Sequence, residues 1–355
     1  MPVTSLPVTL VRGGTSRGVF LRAADVPPPG AERDRRMIEL IGSPGFGQID
    51  GLGGGLPTTS KVAVVGPAVD DPDADVHFQV GNVGIDDPVV DWRGTCGNLT
   101  AAAPVFALHE GFVPVPTADS TTIRLRNLST GGLIRARVPT TPGLVTVDGT
   151  AEISTEYLAP AGSVFSDALP LGRPHGVIDS EGVKVRYSLV DVTHPYLLVE
   201  AAAFVDGPGP WRPELLGRPA LATRLESLRA NVAVRLGLVR DPERAASDSA
   251  GVPRLLLVGP GATGGDLDVL AVSMGTAIRS IPMTAAMCLA AARLIPGTLA
   301  AEYAPPSSGT ESVVVGGPSG FVTAYAGRGS DGTIEYTSVT RTSRVLLTGN
   351  AMLSG

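Results

Sequence analysis

The chain has 355 residues, of which 43% are hydrophobic, enough for two domains that each bury a core. Its formal net charge is −6 and its arginines are scattered, which excludes the basic stripe of a nucleic-acid-binding protein. No apolar run approaches the roughly 18 to 20 residues that cross a bilayer, and the start of the chain lacks the pattern of a signal peptide. We therefore expect a cytoplasmic globular protein with neither a nucleic-acid nor a membrane partner.

Five stretches of the first half have counterparts in the second half, in the same order. The pairs are 11–26 with 190–205, 61–67 with 254–260, 74–84 with 265–275, 100–108 with 284–292, and 128–138 with 316–326. The first and last pairs are typical of strand hairpins, and the fourth pair is typical of an apolar helix. Five ordered pairs outweigh chance similarity in a chain rich in Ala, Val and Gly, so we predict an internal repeat.

Each half contains one almost uncharged helix, beginning near Leu99 and near Met283. A helix that is apolar nearly all round must be enclosed, and a strongly curved sheet is the simplest enclosure. We predict an α+β fold of two similar domains, 1–184 and 185–355, each a curled, mostly antiparallel sheet around a central helix. The last strand is free to return to the first domain. The remaining predictions are an outer, partly amphipathic helix within 212–237 and surface loops or linkers at 113–121 and 163–174.

The glycine-rich stretch "GLGGGLPTTSK" ends at Lys61, one of only two lysines in the chain. A phosphate-binding loop would need Gly-Lys-Ser/Thr at the start of a helix, whereas Lys61 begins a predicted strand. A dinucleotide fingerprint is also absent, because "VRGGTSRG" has the wrong glycine spacing. Two interpretations of the glycines stay open, turn geometry and a backbone nest that binds an anion.

The two cysteines show neither a metal spacing nor a disulfide framework, which suits a reducing compartment. In "DWRGTCGNLTAAA", Cys96 lies between Gly94 and Gly97, just ahead of an apolar helix. Backbone amides and the helix dipole favour a thiolate there, and the same positive end would hold a substrate carboxylate. The alternative for Cys96 is a small packing residue. Cys288 lies inside the second apolar helix, where we expect plain core packing.

The repeat is asymmetric in its reactive side chains. Lys61 corresponds to Arg254, and Cys96 corresponds to Ser280. Two facing helix starts would form one anion-lined cleft between the domains, with both titratable candidates supplied by the first half. Four arginines lie in Gly-, Ser- or Thr-rich turns near these elements and are either anion-binding or simply solvated: Arg12, Arg17, Arg93 and Arg279.

These stretches resemble the PrpF-like isomerases, the group of 2-methylaconitate isomerase, methylitaconate isomerase and 4-oxalomesaconate tautomerase. The segments that carry the resemblance are "VRGGTSRGVF", "GLGG" followed by "TTSKVAVV", "DWRGTCGNLTAAAPVFA", "PAGSVFSDALPLG" and "RSIPMTAAMCLAAA". The resemblance spans almost the whole chain and implies a diaminopimelate-epimerase-like fold with the acid/base lysine at Lys61 and the cysteine at Cys96. Further candidate substrate contacts are Arg12, Thr15, Ser16, Arg17, Ser60, Gly97, Asn98, Arg279, Ser280, Met283 and Thr284.

Two departures from the family pattern bear on the substrate. Members commonly carry Gly-Lys-Pro-His-Arg before the second central helix, where this chain has "GTAIR", so Ile278 replaces an imidazole. A Thr-Gly-Lys that commonly follows Gly-Ser is here "VFSDA". We expect the chemistry to carry over and the natural substrate to differ.

The resemblance implies a cofactor-free isomerase without a metal that moves a proton along the allylic unit of an unsaturated di- or tricarboxylate, and it allows a homodimer. A lysine suits this role because an arginine, always protonated, cannot accept the proton. A lysine works as a base near neutral pH when desolvation and nearby cations lower its pKa from about 10.4. Cys96 would either transfer a proton or help to bind an anion.

Two other functions remain open at this point. A racemase or epimerase of the same fold that used two thiols would need a second cysteine opposite Cys96, and the repeat puts Ser280 there. A carboxylate-binding accessory protein without catalysis is the other alternative, and the presence of both Lys61 and Cys96 speaks against it.

Overall fold

The computed structural model describes residues 3–93, 96–145, 147–180, 182–207, 209, 211, 214–215, 218–249, 251–262, 264–273, 276–306 and 312–354. The chain divides into two compact units. Unit 1 comprises Met1–Leu158 together with Thr340–Gly355, and unit 2 comprises Ala159–Val339. The domain boundary expected at 184 falls inside the strand Val183–Val192. Both neighbours of this strand belong to unit 2, so the whole strand belongs to that unit.

The strands of unit 1 are β1 (Val3–Gly13), β2 (Ser16–Arg22), β3 (Lys61–Pro67), β4 (Val76–Val83), β5 (Val90–Asp91), β6 (Ser120–Asn127), β7 (Leu133–Pro139) and β8 (Glu152–Leu158). Its helices are α1 (Ala31–Ile41) and α2 (Gly97–His109). The pairs β1–β2, β3–β4, β4–β5, β6–β7 and β7–β8 are antiparallel, whereas β2–β3 and β4–β6 are parallel. Helix α2 packs against strands from both ends of this order, so the sheet curls around it.

The strands of unit 2 are β9 (Gly176–Ser180), β10 (Val183–Val192), β11 (His194–Glu200), β12 (Arg254–Pro260), β13 (Leu267–Ser273), β14 (Thr276–Ile278), β15 (Ser312–Gly317), β16 (Gly320–Arg328) and the first part of β17 (Ile334–Ser354). Its helices are α3 (Pro219–Arg235), α4 (Ala245–Asp248), α5 (Met283–Ala292) and α6 (Leu299–Tyr303). Parallel pairs are β11–β12 and β13–β15, and the other pairs are antiparallel.

The predicted internal repeat is confirmed by strand pairing. The hairpin β1–β2 corresponds to the hairpin β10–β11, and a parallel crossover follows each of them. The antiparallel strands β3–β4–β5 then correspond to β12–β13–β14. The parallel step β4–β6 corresponds to β13–β15, and helices α2 and α5 hold equivalent places in the order. The α+β class and the enclosed central helices are therefore as predicted.

Both central helices are buried because almost every side chain they carry is apolar. All ten residues of α5 are buried, and α2 is buried from Leu99 to Leu108. Helix α2 begins at Gly97, two residues ahead of the expected start at Leu99, and α5 begins at Met283 as expected. Small side chains such as Ala101 and Ala285 let the surrounding strands approach the helix axis closely.

The outer faces of the two sheets are covered by the crossover helices. Helix α3 packs Leu225, Leu228 and Val232 against unit 2, which agrees with the outer helix predicted within 212–237. Helix α1 packs Met37 and Leu40 into the core of unit 1, and the sequence does not predict this helix. Its apolar stripe is short and the helix carries six charged residues, so the helical period is weak in the sequence.

Candidate active site at the start of helix α2

The first turn of α2 offers backbone amide donors that have no acceptor in the part of the chain that the structure describes. Cys96 is the residue before the helix, with extended φ −130° and ψ 101°, and its side chain makes no capping hydrogen bond. Its carbonyl oxygen accepts from the Thr100 amide at 2.8 Å and from Thr100 Oγ1 at 3.1 Å. No described residue accepts a hydrogen bond from the amides of Gly97, Asn98 or Leu99. This end of the helix therefore carries a positive partial charge that favours an anion.

Glycines of the surrounding strands allow close contact with this turn. A Cβ atom at Gly13, at the end of β1, would lie 2.0 Å from the Asn98 carbonyl oxygen. A Cβ at Gly18 in β2 would lie 2.8 Å from Leu99 Cδ1. The glycines of "VRGGTSRG" thus bring the sheet edge against the start of α2, and larger residues would push the two apart.

Lys61, at the start of β3, lies on the sheet face that covers α2. Alternate residues of β3, Ala63 and Val65, belong to the apolar cluster around α2, and the strand period of two places Lys61 with them. The Lys61 amine is half-buried and donates a hydrogen bond to Asn82 Oδ1, which stands opposite it in β4. Asn82 was missed in the sequence because only the register of β3 against β4 identifies it as the partner.

Asn98 joins the helix to the turn between β1 and β2. Its Nδ2 donates to Thr15 Oγ1 and to Ser16 Oγ, each at 3.0 Å. Three of the predicted contact residues are therefore within one hydrogen-bonded group next to Cys96. Gly97, another predicted contact, is buried in the same turn.

Arg12 and Arg17 are not brought to the α2 face. They stand opposite each other in the β1–β2 pair, and the neighbouring pair on their face, Leu10 and Val19, packs toward helix α1 instead. Arg12 donates to the carbonyl oxygen of Gly149 at 2.8 Å and to both oxygens of Thr342 at 2.8 and 3.0 Å. Arg17 Nη2 donates to the Gly53 carbonyl oxygen at 3.3 Å. These contacts tie Arg12 to Gly149 and Thr342 and leave Arg17 Nε buried without a hydrogen-bond partner among the described residues.

The glycine stretch is organised by Gln48. Gln48 Oε1 accepts from the amides of Gly54 and Gly55, both at 3.0 Å, and from Ser60 Oγ at 2.8 Å. A Cβ at Gly51 would lie 2.3 Å from the backbone at the end of α1. Of the two interpretations left open, the structure favours turn geometry, and it places the predicted contact Ser60 in this network.

The remaining first-half candidate, Arg93, is exposed and pairs with Asp91 at 3.0 Å. Gly94, which precedes Cys96 in the motif, lies outside the described residues. Arg93 is thus a solvated surface arginine in this structure.

The candidates of unit 2 divide between surface and core. Arg279 is 76% exposed and donates to Glu214 Oε1 at 2.9 Å, and Ser280 is exposed. Met283 and Thr284 are buried in the first turn of α5, where Thr284 Oγ1 lies 2.7 Å from the Tyr196 hydroxyl. Nothing in these contacts brings Arg279 to the start of α5.

The two departures from the family pattern are visible in unit 2. Ile278 ends β14 half-buried, and Gly275 of the same motif lies outside the described residues. In "SVFSDA", the amides of Val164 and Phe165 donate to the wholly buried carboxylate of Asp191 at 2.7 and 2.8 Å. The Asp191 carboxylate therefore fixes this loop at the position where the sequence departs from the family pattern.

Cys288 packs as the sequence predicts. It is fully buried within α5, and burial raises the pKa of its thiol well above the usual value. Its Sγ lies 3.7 Å from the Val190 carbonyl oxygen. A buried protonated thiol of this kind is chemically inert.

Within the described ranges, no group of three or more His, Cys, Asp or Glu side chains is arranged to hold a metal ion. None of the described helices combines the length and the apolar character that a bilayer crossing requires.

Comparisons with known proteins identify the family and relatives of this chain. The model of the PrpF protein family matches residues 3–354. The 3-methylitaconate isomerase of Eubacterium barkeri is 30% identical, with 97% of this chain and 96% of that protein covered. The 4-oxalomesaconate tautomerase of Pseudomonas putida is 33% identical, with 98% and 96% covered.

Solved structures give the same result. A crystal structure of methylitaconate-delta-isomerase superimposes with a TM-score of 0.86 at 29% identity, covering 99% of this chain and 96% of that one. A hydroxyproline epimerase from Agrobacterium vitis shares the fold with a TM-score of 0.59 at 14% identity, covering 99% and 93%. Because the family model matches nearly the whole chain, the protein belongs to the PrpF family.

Proposed function

We propose that this protein is an isomerase that moves a proton along the allylic unit of an unsaturated di- or tricarboxylic acid. The observation that carries the proposal is the start of α2. There the amides of Gly97, Asn98 and Leu99 have no acceptor among the described residues, the Cys96 thiol lies beside them, and Lys61 lies on the sheet face that covers the helix. The names of relatives at 30 to 33% identity, which are isomerases and a tautomerase of such acids, support it.

The reaction requires an anionic intermediate to be stabilised. A base removes a proton from the carbon next to the double bond, and the C–H electron pair becomes part of a dienolate that extends into the carboxylate. Return of a proton to the far carbon of the allylic unit shifts the double bond. Backbone amides fixed at a helix start stabilise the charge as it develops, because they need no reorientation.

Lys61 is the proposed base. Its amine donates a hydrogen bond to the neutral Asn82 amide oxygen, and no described carboxylate lies within ion-pair distance of it. Cys96, at the helix start, is proposed to return the proton or to contact the bound anion. We further propose a cytoplasmic enzyme that acts on a small polycarboxylate and uses no cofactor.

Exchange in deuterated water tests the proposal. The protein is incubated with a panel of unsaturated di- and tricarboxylic acids, and the acids are followed by NMR. We expect deuterium at the allylic carbon together with a shifted double bond. Deuterium at a saturated stereocentre would indicate an epimerase instead, and binding without any exchange would indicate the accessory protein.

A further inference from the structure

Arg341 lies in the part of β17 that belongs to unit 1. In this strand Ser343 pairs with Gly13 and Val345 pairs with Val11, and Val345 packs on the apolar cluster around α2. The strand period of two puts Arg341 on that same face. It is thus on the Lys61 side of the sheet, in contrast to Arg12 and Arg17.

The Arg341 guanidinium has no anionic partner in the part of the chain that the structure describes. Its Nη1 donates to the Thr340 carbonyl oxygen at 2.7 Å, and the side chain is half-buried. Burial lowers the pKa of Arg341, and nearby Tyr157 opposes that effect. Burying a charge without a partner costs free energy, so this group is poised to accept an anion.

Tyr157 presents a second donor beside Arg341. Its ring packs on the α2 cluster, as Cys96 does, and its buried hydroxyl oxygen makes no well-aligned hydrogen bond to a described residue, although the Thr100 hydroxyl is near enough to affect its pKa. Burial raises the pKa of Tyr157 to about 12, with Thr100 and Arg341 opposing the rise and Cys96 adding to it. The hydroxyl therefore keeps its proton near neutral pH and can donate it in a hydrogen bond.

Both side chains adjoin the first turn of α2. A Cβ at Gly14 would lie 2.4 Å from Asn98 Oδ1 and 3.0 Å from Arg341 Cδ, so these atoms meet on one side of the turn between β1 and β2. Cys96 and Tyr157 both pack on the α2 cluster, and β8, which carries Tyr157, pairs with β17, which carries Arg341. A guanidinium, a phenol and the backbone amides at a helix start are complementary to a carboxylate.

We propose that Arg341 and Tyr157 bind one carboxylate of the substrate at the start of α2, and that Arg341 sets the preference for acids carrying a carboxylate at that point. This inference rests on the proposed isomerase function, because it assigns the group that those residues hold.

The test uses succinate, a saturated dicarboxylate that cannot be isomerised, so that binding is measured apart from catalysis. Succinate affinity is determined by calorimetry for the parent and for Arg341→Met, Arg341→Lys and Tyr157→Phe. Arg344→Met is the matched control, since Arg344 is an exposed arginine of the same strand on the opposite face. Thermal melting reports the fold of each variant, and the alkylation rate of Cys96 with and without succinate reports the location of binding.

We expect succinate to bind the parent and to slow alkylation of Cys96. Arg341→Met should weaken binding about tenfold or more, Tyr157→Phe by several-fold, and Arg344→Met not at all, in keeping with the strength of charge-assisted hydrogen bonds. Where an acid is turned over, Arg341→Lys should raise KM more than it lowers kcat.

A parent that does not bind succinate, or a folded Arg341→Met that binds it within twofold of the parent, would overturn the inference. Should Arg341→Met fail to fold, Arg341→Lys and Tyr157→Phe decide the same question by the same threshold. Succinate binding without deuterium exchange on any acid would contradict the isomerase function and would still support the carboxylate-binding role of Arg341 and Tyr157.

Discussion

Lys61 and Asn82 stand directly opposite each other in the β3–β4 pair, and the lysine amine donates to the asparagine amide oxygen at 2.5 Å. The partner is neutral, so it orients the amine without placing a negative charge beside it. The equivalent first position of β12 holds Arg254, which cannot give up its proton. Only unit 1 therefore supplies a base at this place in the repeat.

Lys61→Arg should fold normally and lose at least ~100-fold in kcat/KM, because it keeps the charge and removes the proton acceptor. The measurement is turnover of whichever acid shows deuterium exchange. Lys184→Arg is the matched control, since Lys184 is the other lysine of the chain and is exposed on β10. Activity of Lys61→Arg within threefold of the parent would remove Lys61 from the mechanism.

Asn82→Asp should shift the pH–rate profile of kcat/KM to higher pH. A carboxylate opposite Lys61 favours the ammonium form, so a higher pH is needed before the free amine is available. Asn82→Ala, which adds no charge, should lower activity without that shift. Identical profiles for the parent and Asn82→Asp would show that Lys61 does not act as the base.

Cys96→Ser should retain the fold and lose less activity than Lys61→Arg, whereas Cys288→Ala should leave turnover unchanged. Cys96 is partly exposed and Cys288 is fully buried, so a thiol reagent should modify only Cys96 in the folded protein. Peptide mass spectrometry after alkylation checks this. A Cys96→Ser variant that matches the parent at every pH would make Cys96 a packing residue.

Ile278→His should change the ranking of substrates. An imidazole can bind a carboxylate, whereas the isoleucine side chain leaves such a group without a partner, which costs free energy if the group is buried. We expect the parent to prefer an unsaturated dicarboxylate, or an alkyl-substituted acid, over aconitate-type tricarboxylates. Comparing kcat/KM across a panel checks this, and an unchanged ranking in the variant would show that residue 278 does not face the substrate.

His194 should make stability depend on pH between about 6.5 and 4. Burial, together with the charge of Arg254, lowers the pKa of His194 from 6.5 to about 4 in the folded protein. The unfolded chain therefore binds the proton first, so stability is fully present above pH 6.5 and falls as the pH drops toward 4.

Urea unfolding of the parent and of His194→Gln across this range measures the effect. The glutamine can keep a hydrogen bond to the Gly251 carbonyl oxygen, which His194 contacts at 2.9 Å, but it does not titrate. We expect a shallower decline for His194→Gln. Parallel curves would show that His194 does not titrate on unfolding.

The repeat and the two central helices were predictable because they depend on local patterns of apolar residues. The sheet face on which Arg12 and Arg17 lie was not predictable. The pleat of β1 and β2 decides it, whereas their sequence only resembles that of a turn. Arg341 could not be assigned from sequence either. Its place on the α2 face results from pairing between residues more than 300 positions apart, such as Gly13 with Ser343.

The pairing of β1 with β17 along its whole length, from Val3 with Ser354 to Gly13 with Ser343, makes the two ends of the chain neighbours. During synthesis the edge of β1 that pairs with β17 would stay unpaired until 340–354 leave the ribosome. By then the strands of unit 2 already have their partners. Unit 2 would thus complete its fold before unit 1, although most of unit 1 is translated first. A chain ended after Val339 should expose β1 and aggregate, and a soluble, monomeric product of that length would disprove this order.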